Sequence, residues 1–289
     1  MARWIAKKLA VGLSALALSL APALAEPQLW VVRDADSAVY LFGAIHYLPY
    51  DADWITPAVE TALAGSREVW VEATDIEDDA LLTGLVTEYG LADEPLSARL
   101  GSEDMALLQD AAEDLGIPFA ALDLVEPWLA SVTIAVTPML NAGYDPERSV
   151  DGDVVLLAAD AGLPVRGFET AEQQILLFAS LPLELQLEDL RQTLAMYRDA
   201  ATELDAQYAG WEAGDFTAAE LALEEMRAEA PELYEILFVA RNQNWAQRIV
   251  GLLKWPGDTF VAVGAGHFAG DGSILQLLEE AGLAPERVQ

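Results

Sequence analysis

The chain reads as an α/β protein: a central mixed β-sheet flanked by helices, with a mainly helical insertion. Short apolar strands alternate with helical segments near both ends, and a long helix-periodic block lies between them. No linker rich in Pro, Gly or Ser divides the chain, so residues 26–289 form a single domain, with 183–255 as the helical insertion. At 289 residues and 53% hydrophobic, the chain has enough apolar material for one substantial core.

The first 25 residues stand apart from this pattern. MARWIAKKLAVGLSALALSLAPALA carries Arg3, Lys7 and Lys8, then an apolar run, then Ala23-Leu24-Ala25. That order is the one a signal peptide shows, with cleavage after Ala25 and a periplasmic or secreted mature chain. Nothing after residue 25 is apolar for long enough to span a bilayer, so no stable membrane insertion of the mature chain is expected.

QLWVVRD (28–34) and SAVYLFGAI (37–45) predict a hairpin across a short polar turn. WITPAVETALA (54–64) has helical spacing, with Thr56 as cap and Pro57 in the first turn. REVWVEATD (67–75) is a buried strand ending in acids. DIEDDALLTGLVTEYG and GSEDMALLQDAAEDLG follow as helices, the second closed by Gly116. Helical spacing resumes over 124–141 and ends in the loop NAGYDPERS. DGDVVLLAADAG (151–162) is a helix, LPVRGFE (163–169) a strand, and TAEQQILLFASL a helix again. The block 183–254 is helical, with breaks expected near Gly210, Gly214 and Pro231. DTFVAVGAG (258–266) is an apolar strand, SILQLLEEAG a helix, and ERV a final edge strand.

Composition excludes several functions. With 15 basic and 48 acidic residues the formal charge is −33, a field that repels nucleic acid. Zero cysteines remove disulfides, thiolate metal ligands and a cysteine nucleophile. No G-x-S-x-G elbow, H-E-x-x-H helix or phosphate-binding G-x-x-x-x-G-K-[ST] loop occurs.

The chain holds only two histidines, and both follow an apolar strand and small residues: Gly43-Ala44-Ile45-His46 and Gly264-Ala265-Gly266-His267. The carboxyl ends of strands in an open α/β sheet are where ligands bind, and small residues there allow close approach. Glu72 in VWVEATD and Glu169 in VRGFETAEQQ end two further strands. A carboxylate at a buried strand end needs a cation or a hydrogen-bond network. His46, Glu72, Glu169 and His267 therefore suit a divalent metal, Mn, Co or Zn, whose bound water would serve as nucleophile. Arg241, in RNQNWAQRI, suits a substrate carboxylate or a developing oxyanion, and equally a surface ion pair. Asp151 and Asp153 stand at a helix start, where capping accounts for one of them.

In this order the motifs resemble the TraB/GumN family, which includes the Tiki proteins. The likeness spans roughly residues 28–288: both G-x-x-H motifs, VEATD around Glu72, SVDGDVVLLAADAGLPVRGFETAEQQ with Gln174, and RNQNWAQRI. Phe168 replaces the leucine usual in the family's G-L-E-T segment. The resemblance implies an architecture akin to erythromycin esterase-like and haem-binding ChaN-like proteins. It also implies metal-dependent proteolysis using both motif histidines and the glutamates.

Three functions follow as expectations. The first is an exported, metallopeptidase-like hydrolase acting on a peptide or other small substrate. The second is a metal-free esterase with a histidine general base, titrating near 6–7. The third is a non-catalytic haem- or peptide-binding module.

Overall fold

A computed structural model describes residues 26–76, 78–145 and 148–289, so the expected signal peptide, 1–25, lies outside the described residues. β1 (Leu29–Arg33) and β2 (Ala38–Ala44) form the expected hairpin. Its turn closes because Asp34 Oδ1 accepts from the backbone of Asp36 and Ser37 and from the Ser37 hydroxyl. The short β3 (Leu48–Pro49) leads to α1 (Pro57–Gly65), capped by Thr56. β4 (Glu68–Ala73) is followed by α2 (Asp79–Gly90), α3 (Ser102–Leu115), α4 (Phe119–Asp123) and α5 (Pro127–Asn141). Gly116 ends α3 at φ +69°, the left-handed conformation that a glycine adopts without penalty. Then come β5 (Tyr144–Asp145), α6 (Val150–Asp160), β6 (Val165–Glu169) and α7 (Ala171–Ala179).

The helical block contains α8 (Leu183–Met196), α9 (Ala200–Glu212), α10 (Thr217–Glu229) and α11 (Pro231–Tyr234). A π-helical turn, Glu235–Val239, joins α11 to α12 (Ala240–Leu252). β7 (Thr259–Gly264) runs into a tight 3₁₀ turn, Ala265–Phe268. α13 (Ile274–Glu280) and β8 (Glu286–Arg287) complete the chain.

Six strands form one mixed sheet in the order β6-β4-β7-β2-β1-β8. β6, β4, β7 and β2 are parallel, whereas β1 and β8 are antiparallel additions at one side. The parallel strands need crossover connections, which the intervening helices supply. Central position explains composition: Phe260, Val261, Ala262 and Val263 of β7 are all fully buried. A second apolar cluster, including Leu108, Ile134, Leu190 and Leu194, packs α3, α5 and α8 together.

Two details depart from the sequence-based expectation. The expected break near Gly210 and Gly214 comes at 213–216, with Gly210 itself inside α9, and a further break, not expected, comes at 197–199. A Cβ at residue 210 would stand 2.8 Å from Asp215 O, so glycine there lets the next loop fold back. NAGYDPERS is also not wholly irregular, because β5 pairs with β3 just after His46. Together with Val150 N–H donating to Ile45 O, this ties the His46 loop to the start of α6.

Candidate active site at the parallel strand ends

The carboxyl ends of the four parallel strands each deliver one candidate residue, in sheet order: Glu169 from β6, Glu72 from β4, His267 after β7 and His46 after β2. β2 and β7 are in register with Ala44 opposite Gly264, which sets the two Gly-x-x-His turns side by side. Glu72 Oε1 lies 3.9 Å from His46 Nε2 and 3.8 Å from His267 Nε2. The small residues ahead of each histidine have a steric reason. A Cβ at residue 264 would stand 3.1 Å from Glu72 Oε1 and 3.4 Å from His46 Nε2, and one at residue 43 would stand 3.1 Å from Ala265 Cα. Gly264 N–H also donates to Glu72 Oε1 at 2.8 Å.

Arg241 comes to the same point from α12. Its Nη2 donates to Glu72 Oε2 at 2.7 Å and to Glu169 Oε2 at 2.9 Å, and Nε donates to Glu169 Oε1 at 2.9 Å. Nη1 donates to Leu237 O and to His267 Nε2, each at 3.1 Å. All five N–H groups of the guanidinium are engaged, so Arg241 holds the site together rather than offering a donor to substrate. It also stacks over Trp245 at 4.4 Å. Its side chain is only 12% exposed, and its pKa is driven upward: burial opposes the charge, and the Glu169 and Glu72 carboxylates outweigh it.

The two histidines, alike in sequence, hold opposite protonation states. His267 is buried, with Nδ1 2.6 Å from Asn242 Oδ1. That bond needs a proton on Nδ1, and the bond from Arg241 needs a lone pair on Nε2, so His267 is neutral. Burial accordingly pushes its pKa down to about 3, reinforced by the Arg241 charge and opposed by Glu72. His46 instead opens into a cavity, with 56% of its side chain exposed, and its Nδ1 sits 2.9 Å from Asp151 Oδ2. Enclosure disfavours its charge, but Asp151 and then Glu72 outweigh this and raise its pKa to about 9. Glu72 is pulled down to about 2, because the nearby cationic groups and the Gly264 N–H outweigh its burial.

The residues that sequence reasoning undervalued are the partners. Neither Asp151 nor Asp153 caps α6: Ser149 does, accepting from Gly152 N–H. Asp151 serves His46, while Asp153 accepts from Trp54 Nε1 at 2.9 Å. The available signal was Ser149, which already supplies the cap and leaves both acids free for another role. Gln174, placed at the cavity floor by α7, donates to Glu72 Oε2 at 3.0 Å. α7 itself starts where it does because Thr170 and Gln173 form a capping box directly after Glu169.

Among the described residues no group of three or more His, Asp or Glu stands as a ligand set for a metal ion. The physical reason is Arg241, which takes the lone pairs of Glu169, Glu72 Oε2 and His267 Nε2. His46, Glu72, Glu169 and His267 do converge as the sequence suggested, but as an ion-pair network around a guanidinium. In this arrangement they do not fit a metal.

The cavity measures about 610 Å³. Its floor is His46, Glu72, Gln174, Arg241 and His267, and its walls are mostly apolar side chains of the helical block, among them Leu204, Phe216, Leu223 and Phe238. Trp211 of α9 ties that block to the sheet by donating from Nε1 to Gly43 O at 2.7 Å.

A polar cluster at parallel strand ends, roofed by a helical block, defines an α/β protein with a candidate ligand site between the sheet and that block. The chain belongs to the TraB/PrgY/gumN family, whose model matches residues 28–287. It is similar to YbaP, an uncharacterized protein of Escherichia coli strain K12, at 25% identity over 252 residues, covering 87% of this chain and 92% of YbaP. It is also similar to an uncharacterized protein of Treponema pallidum strain Nichols, at 23% identity, covering 88% of this chain and 81% of that one. No solved structure matches the chain.

Proposed function

We propose that the protein is an exported hydrolase of a carbonyl compound, an ester or amide, in which His46 is the general base for water. The observation that carries this reading is the His46–Asp151 pair at 2.9 Å, with Nε2 on the cavity side near Glu72. Asp151 fixes the ring and stabilises the imidazolium that forms as His46 takes the proton of water. Glu72 lies 3.9 Å from Nε2, close enough for one water to bridge the two. Gln174 carries a second amide N–H for the oxyanion that develops on the substrate. His267 and Arg241 are positioning residues that keep Glu72 and Glu169 in place. Export rests on the leader-like first 25 residues.

A metal-dependent version has one observation in its favour. Glu72 Oε1 faces Nε2 of both histidines at nearly equal distances, 3.9 and 3.8 Å, so movement of Arg241 would leave three donors facing one point. In that version His46, His267, Glu72 and Glu169 would hold Mn, Co or Zn, which would supply an activated water.

The two separate in one experiment. Protein stripped with chelator is assayed on a panel of esters and peptides, with and without added Mn²⁺, Co²⁺ or Zn²⁺, beside His46→Ala. Undiminished activity after chelation, with a fall of about 10²–10⁴-fold in His46→Ala, supports the metal-free reading. Activity that vanishes on chelation and returns with metal replaces it by the metal-dependent one. Turnover unchanged in His46→Ala defeats both.

A further inference from the structure

We propose that the substrate is an ester or amide of a long, linear apolar chain, with its carbonyl at the polar floor and its far end uncharged or cationic. This rests on the hydrolase reading above and names what that site accepts.

The cavity extends beyond the floor. A second hollow of about 460 Å³ lies between α8, α9 and α10, and a third of about 190 Å³ lies against α5. Gln207 lines all three, and Ala222 and Met226 line both the first and the second. Gln207, Ala222 and the flexible Met226 are thus common walls of the first and second hollows. Met139 and Met196 add the same adaptable chemistry to these walls. The three hollows therefore adjoin one another through shared walls, from the polar floor out to the space between α8, α9 and α10.

The lining decides between a peptide and an aliphatic chain. A peptide presents a donor and an acceptor at every residue, and each must find a partner when buried. Away from the floor the first hollow is lined mainly by Leu, Met, Phe, Val and Ala side chains and Trp211, with Gln207 its neutral amide and Asp215 its carboxylate. All elements of this roof are helices, whose backbone groups are already paired, so no strand edge is available to a peptide there. A hydrocarbon chain asks for no such partners.

Charge sets the far end. Asp189, Glu203, Glu225 and Glu229 ring the outer hollow, and among the described residues lining the three hollows the cationic side chains, Arg241 and His46, both stand at the floor. An anionic far end, such as a free carboxylate or sulfate, would meet uncompensated like charge.

The test is equilibrium binding of octyl-, decyl- and dodecyltrimethylammonium below their micelle concentrations, beside alkyl sulfates of the same lengths. It is read by calorimetry and by tryptophan fluorescence, to which Trp211 in the cavity wall contributes among the chain's eight tryptophans. For the ammonium series affinity should rise about fourfold per methylene. The sulfates should bind at least about tenfold more weakly at low salt, with the gap narrowing as salt is added. Ala222→Trp should end the rise with chain length, and the milder Ala222→Leu should blunt it, which covers the case where the larger change disturbs folding. Affinity that does not depend on chain length, or a rise identical in Ala222→Trp and Ala222→Leu, overturns the proposal. His46→Ala keeps the two readings distinct. Turnover of a short ester without any chain-length effect removes only the apolar-chain inference. A full chain-length effect without turnover of any ester or amide removes the hydrolase reading on which it rests.

Discussion

His46 and His267 follow nearly identical tetrapeptides, yet one is a cation at neutral pH and the other is not. The motif decides where each ring sits; partners remote in sequence decide its charge. His46 faces Asp151, 105 positions on, and His267 is held between Asn242 and Arg241. The two motifs and the two strand-end glutamates could be read from the chain, because strand ends are local. The opposite charge states could not, because they depend on contacts across the fold. This has consequences for pH. The rate should rise as His46 loses its proton, with a midpoint near 9 rather than the 6–7 of an ordinary histidine. Asp151→Asn should move that midpoint down, measured as kcat/KM against pH; an unmoved midpoint would remove His46 as the titrating group. Stability follows different signs at the two rings. The lowered pKa of His267 contributes stability that is complete above its unfolded value of 6.5 and is lost as pH falls toward about 3. Glu72, lowered from 4.5 to about 2, adds a loss in the lower part of the same range. The raised pKa of His46 gives stability that is present below 6.5 and lost as pH rises through about 9. Urea midpoints should therefore fall on both sides of neutrality, and His267→Gln should flatten the acid side.

At the level of elements, strands and caps carry the site because each ends at a chemically defined residue. Glu169 closes β6, Glu72 stands one residue before the end of β4, and Thr170 caps α7 directly after Glu169. Such signals are short-range, so the hairpin, the four central strands and the Gly116 stop were legible. The π-helical turn was not: its one-residue surplus leaves the apolar spacing almost unchanged. It matters, because it sets Leu237 O to accept from Arg241 and brings Phe238 within 5.1 Å of the His267 ring. The β3–β5 pairing was equally hidden, since two-residue strands have no period. Gly264 tests the packing of these elements. In Gly264→Ala the methyl group would press on Glu72 Oε1 and His46 Nε2, at a stability cost of about 1–3 kcal/mol. Activity should fall with it, because the group displaced is the carboxylate between the two rings. Gly101→Ala, where nothing lies within 4 Å, is the control. Equal melting temperatures for the two variants would mean that the strand end is not close-packed.

For the molecule as a whole, charge and core belong to different ranges of force. The surplus of 48 acids over 15 bases was plain in the composition, and so was the helical block. How that block docks was not, because helical periodicity gives each helix an apolar face without saying which neighbour it meets. In the structure it roofs the sheet and supplies Arg241, whose guanidinium joins β4, β6 and the turn after β7. Salt separates the two ranges. Raising ionic strength from about 0.01 to 0.15 M shortens the screening length from about 30 to 8 Å. Exposed carboxylates then repel one another less, and the melting temperature of the wild type should rise. The buried network should not respond, because Arg241, Glu72 and Glu169 are each no more than 14% exposed. Arg241→Gln leaves two carboxylates without their cation, a loss of about 3–5 kcal/mol. In a domain of this length that is a fall of roughly 10 °C. The difference between Arg241→Gln and wild type should be the same at low and high salt, even as both melting temperatures climb. A difference that shrank with salt would mean that solvent screens the arginine, and the roof would then not be sealed over the strand ends.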